Sequence, residues 1–486
     1  MSAVPLPYGF ARRNGVIVRV GDGAPSCLHT AGTSVEALLE VQRLVGPVRF
    51  VRLDGDAFDA ALRAAYRDSA SEAADFAAAG TDLAALADTA AAVDDLLDQR
   101  DDSPVIRLIN ALLLEAVREG ASDIHIETQE KRLLVRFRID GMLRDVIEPR
   151  RALAPLLVSR VKVMARLDIA EKRVPQDGRV TLRVGGYDID ARISTIPTQH
   201  GERVVLRLLD RGAAAPDLTG LGMTPRDAAL FTRLLERPHG MVLVTGPTGA
   251  GKTTTLYAAL THLNDRKRNI MTVEDPIEYA LEGVGQTQVN PRTGLTFARG
   301  LRAILRQDPD VIMVGEIRDQ ETARVAVRAS MTGHFVLSTL HTNSAVGSVT
   351  RLIDMGVERY LLAPMIVGLI AQRLVRRLCP ACRREDRATP DDARLLGDRL
   401  TVGETVWRAV GCDACHHEGY RGRAGLFEVV AVDETLRALI HGGAPEAALT
   451  AAARAAGPGL LDNGLALVRA GTTTVEDVAR RVEGDG

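Results

Sequence analysis

The chain has 486 residues, 46% apolar and 26% charged, with a net charge of -2 and 3% aromatics. That length exceeds what one core organises and points to two to four domains, while the near-neutral charge lacks the basic field of a nucleic-acid binder. Only five of the 61 basic residues are lysine, so Lys252 in a glycine-rich turn marks a place that needs a compact ammonium.

Residues 1–65 read as a small mixed domain. Val16–Val20 alternates weakly, and Ser34 is placed to cap a helix over Val35–Leu44. The N-terminal stretch carries no apolar core of signal-peptide length, which predicts a chain kept in the cytosol. Residues 66–104 are rich in Ala and Asp and read as a linker. A second domain is expected over 105–212, opening with a helix from Pro104 to Arg118 and a strand from Asp123 to Glu127. A hairpin turning at Asp140-Gly141 follows, then strands at Tyr187–Ser194 and Val204–Leu209. Residues 213–221 form a hinge, and 222–486 form the last and largest region. The longest apolar run, Leu361–Ala371, is too short to cross a bilayer and reads as a buried helix.

The motifs gather in that last region. A β-rich run, Met241–Thr245, meets Gly246-Pro247-Thr248-Gly249-Ala250-Gly251-Lys252-Thr253-Thr254, and a helix follows. Glycines at this spacing let backbone N–H groups surround phosphate oxygens at a helix start. Lys252 then reaches the β- and γ-phosphates of ATP, and the Thr253 hydroxyl binds Mg²⁺. The alternative, a glycine-rich turn with a stray lysine, does not explain the strand before it and the helix after it. Downstream, Met271–Glu278 delivers Glu274, Asp275 and Glu278 to one strand end, where a carboxylate can position or deprotonate water. Val311–Val314 reads as a buried parallel strand beside the phosphate-loop strand, with Gly315 where many such enzymes carry Asp, and with Glu316 next. Glu316 is therefore expected near Mg²⁺ through water. His334 and His341 flank a strand from Phe335 to Leu340, so either is a candidate γ-phosphate sensor. Arg302, Arg306, Arg318 and the pair Arg192 and Arg207 are candidates to meet phosphate charge, against a plain solvated role for any one of them.

Cys379-Pro-Ala-Cys382 and Cys412-Asp-Ala-Cys415 form paired C-x-x-C units, which fit a structural four-thiolate zinc site; His416 and His417 are not needed as ligands. The remaining possibility is four unmetallated thiols.

Together these motifs resemble the type II/type IV secretion ATPase superfamily over about 105–486. GPTGAGKTTT is similar to its Walker A, EDPIE to its aspartate box, DPDVIMVGEIRD to its atypical Walker B and TGHFVLSTLHTN to its histidine box. SDIHIE, VRFRIDG, KRVPQDGR and GERVVLRLL resemble the family's second N-terminal domain, and LPYGFARRNGVIV the start of secretion ATPases of the GspE kind. The resemblance implies an α/β, multidomain fold. A small N-terminal docking domain and a PAS-like α+β domain would precede a RecA-like P-loop core, with a zinc segment at 372–428 and a helical C-terminal part at 429–486. It implies Glu278 as general base, Glu316 at the metal and water, His341 on the γ-phosphate, and Arg192 and Arg207 acting across a subunit boundary. It further implies a homo-hexamer docked on a GspL-type, and also a GspF-type, inner-membrane platform protein, cytoplasmic and reaching the membrane only through partners, with no nucleic acid bound. A pilus-extension motor and, from another class, a RecA-like nucleic-acid translocase stay open as alternatives.

Overall fold

The structure is a computed structural model that describes residues 14–19, 25–54, 57, 58, 61, 83, 86, 87, 104–184, 187–210, 217–397 and 399–483. Nearly all of the Ala/Asp-rich linker, and residues 213–216 of the hinge, lie outside the described residues. The chain divides into two units, Met1–Gly212 and Ala213–Gly486.

In the first unit, strands β1 (Val16–Arg19), β2 (Ser26–His29) and β3 (Arg49–Arg52) form a three-stranded sheet, with helix α1 (Val35–Val45) between the last two in sequence. The Ser34 hydroxyl accepts the Ala37 N–H at 3.2 Å, so the expected cap is present. Helix α2 (Pro104–Arg118) leads into β4 (Asp123–Thr128), β5 (Leu133–Ile139) and β6 (Met142–Ile147). Asp140 and Gly141 have φ of 49° and 86°, the two left-handed residues a tight hairpin requires. Helix α3 (Ala154–Met164) is followed by β7 (Gln176–Val184), β8 (Tyr187–Thr198) and β9 (Gly201–Asp210). These six strands form one antiparallel sheet in the order β6-β5-β4-β9-β8-β7. The apolar side of α2, with Leu108, Leu112 and Leu113, joins Leu157 and Val161 of α3 against Ile124, Val135, Phe137 and Val204 of the sheet.

The second unit is built on a seven-stranded sheet. After α4 (Pro225–Leu235) come β10 (Gly240–Thr245), α5 (Lys252–Leu263), β11 (Ile270–Glu274), β12 (Gly285–Gln288) and α6 (Phe297–Ile304). Then follow β13 (Val311–Val314), α7 (Gln320–Met331), β14 (Phe335–Leu340), α8 (Gly347–Asp354), α9 (Arg359–Met365) and β15 (Ile366–Leu378). The sheet order is β12-β11-β13-β14-β10-β15-β18, where β18 is Tyr420–Ala431, and only β18 runs antiparallel. Strands β10, β13 and β14 are buried along their whole length, as unbroken apolar runs in a two-faced sheet require.

The structure departs from the sequence-based expectation at two places. The run Leu361–Ala371 is not one helix: α9 ends at Met365 and the chain continues as β15, which pairs with both β10 and β18. Periodicity cannot separate a buried helix from a strand buried on both faces, and this run spans a junction between them. Nor does the Val311–Val314 strand lie beside the phosphate-loop strand. Strand β14 is inserted between β13 and β10, its six buried residues filling the middle of the sheet.

Between β15 and β18, strands β16 (Arg384–Arg387) and β17 (Thr405–Arg408) form a small antiparallel ribbon, with α10 (Pro390–Leu395) between them in sequence. Helices α11 (Glu434–Gly442), α12 (Glu446–Ala456), α13 (Leu460–Arg469) and α14 (Val475–Glu483) complete the unit. No helix among the described residues is long and apolar enough to cross a membrane.

Candidate active site

In a parallel sheet, sites form at the carboxyl ends of the strands, and β10, β13 and β14 end together here. The turn after β10 is held open by glycine. Gly246 has φ of 148°, and a Cβ there would collide with the Gln372 carbonyl oxygen; Gly251, at φ 86°, would place one 2.9 Å from Gln372 Nε2. Lys252 opens α5, and its Nζ donates to the carbonyl oxygens of Gly246 at 2.6 Å and Pro247 at 3.1 Å. Burial pushes its pKa down to about 8, the charge of Glu316 works upward, and Arg373 adds to the lowering. The ammonium therefore stays charged near pH 7. Thr253 and Thr254 are exposed on the first turn of α5.

Glu316 follows Gly315 after β13. The backbone of β11 explains the glycine: a Cβ at 315 would sit 3.3 Å from the Val273 carbonyl oxygen and 3.4 Å from Glu274 Cα. The Ile317 N–H donates to the Thr339 carbonyl at 3.0 Å and Thr339 Oγ1 donates to the Gly315 carbonyl at 2.7 Å, so Glu316 is clamped against β14. Its Oε1 is paired with Arg318 Nη2 at 2.5 Å, and its Oε2 lies 3.6 Å from His341 Nε2.

His341 follows β14, whose Leu340 pairs with Thr245 of β10. The Thr245 hydroxyl accepts the Thr342 N–H at 2.8 Å and lies 2.7 Å from Thr342 Oγ1, which fixes the histidine segment beside the phosphate loop. Burial holds the His341 pKa below its ordinary range; Lys252 adds to this, and Glu316 opposes it. His334, the other candidate sensor, sits at the opposite end of β14. Its Nδ1 lies 2.9 Å from the Ala329 carbonyl oxygen and 3.1 Å from Thr332 Oγ1, a local structural role.

The three acids after β11 separate. Glu274 is buried and bonded to the Tyr257 hydroxyl, to Thr272 Oγ1 at 2.5 Å and to Gln286 Nε2 at 3.0 Å. Asp275 is exposed. Glu278 is half-buried, and its N–H donates to the Tyr257 hydroxyl at 3.3 Å, which pins this loop to the helix that Lys252 begins. No motif in the sequence marks Tyr257, Gln372 or Arg373 as part of the site.

Of the candidate arginines, Arg318 joins the cluster. Arg302 on α6 pairs with Glu321 at 2.6 Å, and Arg306 Nη1 donates to the Arg302 carbonyl at 2.9 Å. Arg192 and Arg207 belong to the first unit, where they are cross-strand partners on β8 and β9, and Arg207 Nε donates to Asp123 Oδ1 at 2.8 Å.

The sulfur atoms of Cys379, Cys382, Cys412 and Cys415 lie within 4.8 Å of one another. Each pair turns tightly: the Cys382 N–H reaches the Cys379 carbonyl at 3.3 Å, and the Cys415 N–H the Cys412 carbonyl at 3.0 Å. Burial raises the Cys415 pKa, but the N–H groups of Cys412 and Gly419, with the neighbouring Cys382 and Cys412 thiols, outweigh it and bring it down to about 7. Four converging sulfurs suit zinc. His417 instead pairs with Asp413 at 3.1 Å. The hard oxygens of Thr253 and Glu316 likewise suit Mg²⁺.

Residues 98–480 match the family described as type II/IV secretion system protein, and residues 5–66 match an N-terminal domain of GSPII protein E. The type II secretion system protein E of Pseudomonas aeruginosa is 56% identical over 98% of this chain and 95% of its own length. The type II secretion system ATPase E of Vibrio cholerae is 53% identical over 98% of this chain and 96% of its own. Among solved structures, the pilus retraction motor PilT with bound ADP is 28% identical, with a TM-score of 0.54, over 76% of this chain and 95% of that one. The Legionella pneumophila ATPase DotB, 21% identical with a TM-score of 0.58 over 78% of this chain and 96% of its own, shares the fold.

Proposed function

The chain belongs to the type II/IV secretion system protein family, and from that footing we propose that it is the Mg²⁺-dependent ATPase motor of a type II secretion system, turning ATP hydrolysis into pseudopilus assembly and protein export. The observation that carries this reading is the meeting of Lys252, Glu316 and His341 at the ends of β10, β13 and β14. The match of residues 5–66 to the N-terminal domain of GSPII protein E favours secretion over pilus extension.

The residues divide the work as follows. Backbone N–H groups of Gly246–Thr254 enclose the phosphates, and Lys252 leaves its own loop carbonyls to meet the β- and γ-oxygens. Thr253 and Glu316 would hold Mg²⁺, which would supply charge neutralisation at the phosphates. Glu278 takes the proton of the attacking water as its oxygen bonds to the γ-phosphorus. The bond from that phosphorus to the β–γ bridging oxygen breaks, and ADP leaves with the electron pair. His341 contacts the γ-phosphate, and Arg192 and Arg207 act across a subunit boundary in a hexamer. Zinc on the four cysteines is structural.

In this reading the first 65 residues dock on the cytoplasmic domain of a GspL-type membrane protein and bring a cytoplasmic motor to the inner membrane, where a GspF-type platform also meets it. Calorimetric titration of the full chain with that cytoplasmic domain tests the assignment. Saturable binding is expected; binding only to the corresponding pilus-platform domain would move the protein to pilus extension.

A further inference from the structure

Arg373 is only 2% exposed and is among the largest fully buried side chains described. A guanidinium out of water is costly unless its donors are used. It lies on β15 just beyond Ala371, the last residue paired with β10, while its other edge is still paired with Leu426 of β18, so its guanidinium is held where β15 has passed the end of β10. Its donors go to three main-chain carbonyls from three segments. Nη1 donates to Gln372 at 3.1 Å, Nη2 to Asn343 at 3.0 Å and Nε to Arg481 at 3.2 Å.

Each acceptor has a place in the site. The Gln372 carbonyl is the atom that forbids a side chain at Gly246, and Arg373 Nη1 itself lies 3.3 Å from where that Cβ would be. Asn343 is two residues after His341. Arg481 is in the last turn of α14, where helix carbonyls lack intrahelical partners and the dipole favours a cation. Helix α14 is bound to β15 a second time, three residues on, where Asp477 accepts from the Arg376 N–H at 2.7 Å and from Arg376 Nε at 2.8 Å.

We propose that Arg373 is a positioning residue for ATP hydrolysis: its planar fork fixes the His341 segment against the floor of the phosphate loop and ties both to the C-terminal helix α14. This rests on the role given above to His341. A lysine keeps the charge but presents no fork, so it cannot reach three carbonyls set in three directions. Nucleotide affinity is set by the loop backbone and is retained, whereas the histidine segment loses its register, a displacement of the size that costs about 10- to 100-fold in rate.

The test uses the full chain as R373M, R373K, H341A and R373M/H341A, measuring kcat, and the affinity and stoichiometry for a fluorescent ADP with Mg²⁺. Both Arg373 variants are expected to lose at least about tenfold in kcat, with ADP affinity within about threefold and one nucleotide per chain. The double variant is expected to fall less than about twofold below H341A, because both changes remove one effect. Parental kcat in R373K would overturn the inference, since charge alone would then suffice. Losses that multiply in the double variant would also overturn it, because a purely structural arginine acts independently of His341. Parental kcat in H341A would instead overturn the role of His341 and remove the premise. If R373M fails to bind nucleotide stoichiometrically, R373K with R373K/H341A decides by the same criteria.

Discussion

Nε2 of His341 lies 3.6 Å from Oε2 of Glu316, joining the ends of β14 and β13. Burial and then Lys252 disfavour the charged imidazole, while Glu316 favours it, and the net direction is downward from 6.5. His341 is therefore biased towards its neutral form relative to an ordinary imidazole. Replacing Glu316 with Gln removes the group that favours charge, so the His341 midpoint moves further down in E316Q. Histidine ring-proton NMR against pH checks this, and an upward movement would contradict the arrangement.

Glu278 and Glu274 are four residues apart but have different surroundings: Glu274 is buried and Glu278 half-buried. E278Q is expected to lower kcat by about 10²–10⁴ with nucleotide binding retained, the range for loss of a general base. E274Q breaks a buried network with Tyr257, Thr272 and Gln286, and is expected to cost about 1–3 kcal/mol of stability in denaturant unfolding. Exchange of these two phenotypes would show that the base has been assigned to the wrong acid.

The thiol cluster predicts one zinc per chain by elemental analysis of freshly purified protein. C412S removes a ligand outright, and its zinc affinity is expected to fall by more than the roughly 10–100-fold that outer-shell changes cost. Its thermal melt is expected to move down, because a bound metal would tie Cys379 and Cys382 after β15 to Cys412 and Cys415 before β18. Unaltered metal content in C412S would contradict a four-sulfur site.

G246A introduces a side chain at a φ of 148° against the Gln372 carbonyl. Backbone strain of about 1–3 kcal/mol follows, and the loop must move to relieve it. Because the Gly246 carbonyl also holds Lys252, nucleotide affinity is expected to fall at least about tenfold by equilibrium binding, an energy within that range. Unchanged affinity would mean that the loop does not depend on this close approach.

The strands that carry the site are legible because they are short, apolar and unbroken: Val311–Val314 and Phe335–Leu340 are found with the expected bounds. The order of those strands is not legible, since nothing local in β14 says that it inserts between β13 and β10. Leu361–Ala371 misleads for a related reason, being apolar enough for either a buried helix or a buried strand and in fact belonging to both. Within the site, Lys252, Glu316 and His341 stand in recognisable patterns. Tyr257 and Arg373 do not, because, apart from Gln372 next to Arg373, the partners named for them lie 17 to 108 residues away and meet them only once the sheet has formed.

Phosphate release by the full chain and by K252A, with Mg²⁺ and ATP, shows whether hydrolysis runs through the Gly246–Thr254 loop. Steady turnover is expected of the parent and none above background of K252A, with K252A still folded by its thermal melt, because the β- and γ-phosphate charge loses its ammonium partner. Parental turnover in K252A would contradict the placement of ATP in the Gly246–Thr254 loop, and with it the motor built around that loop.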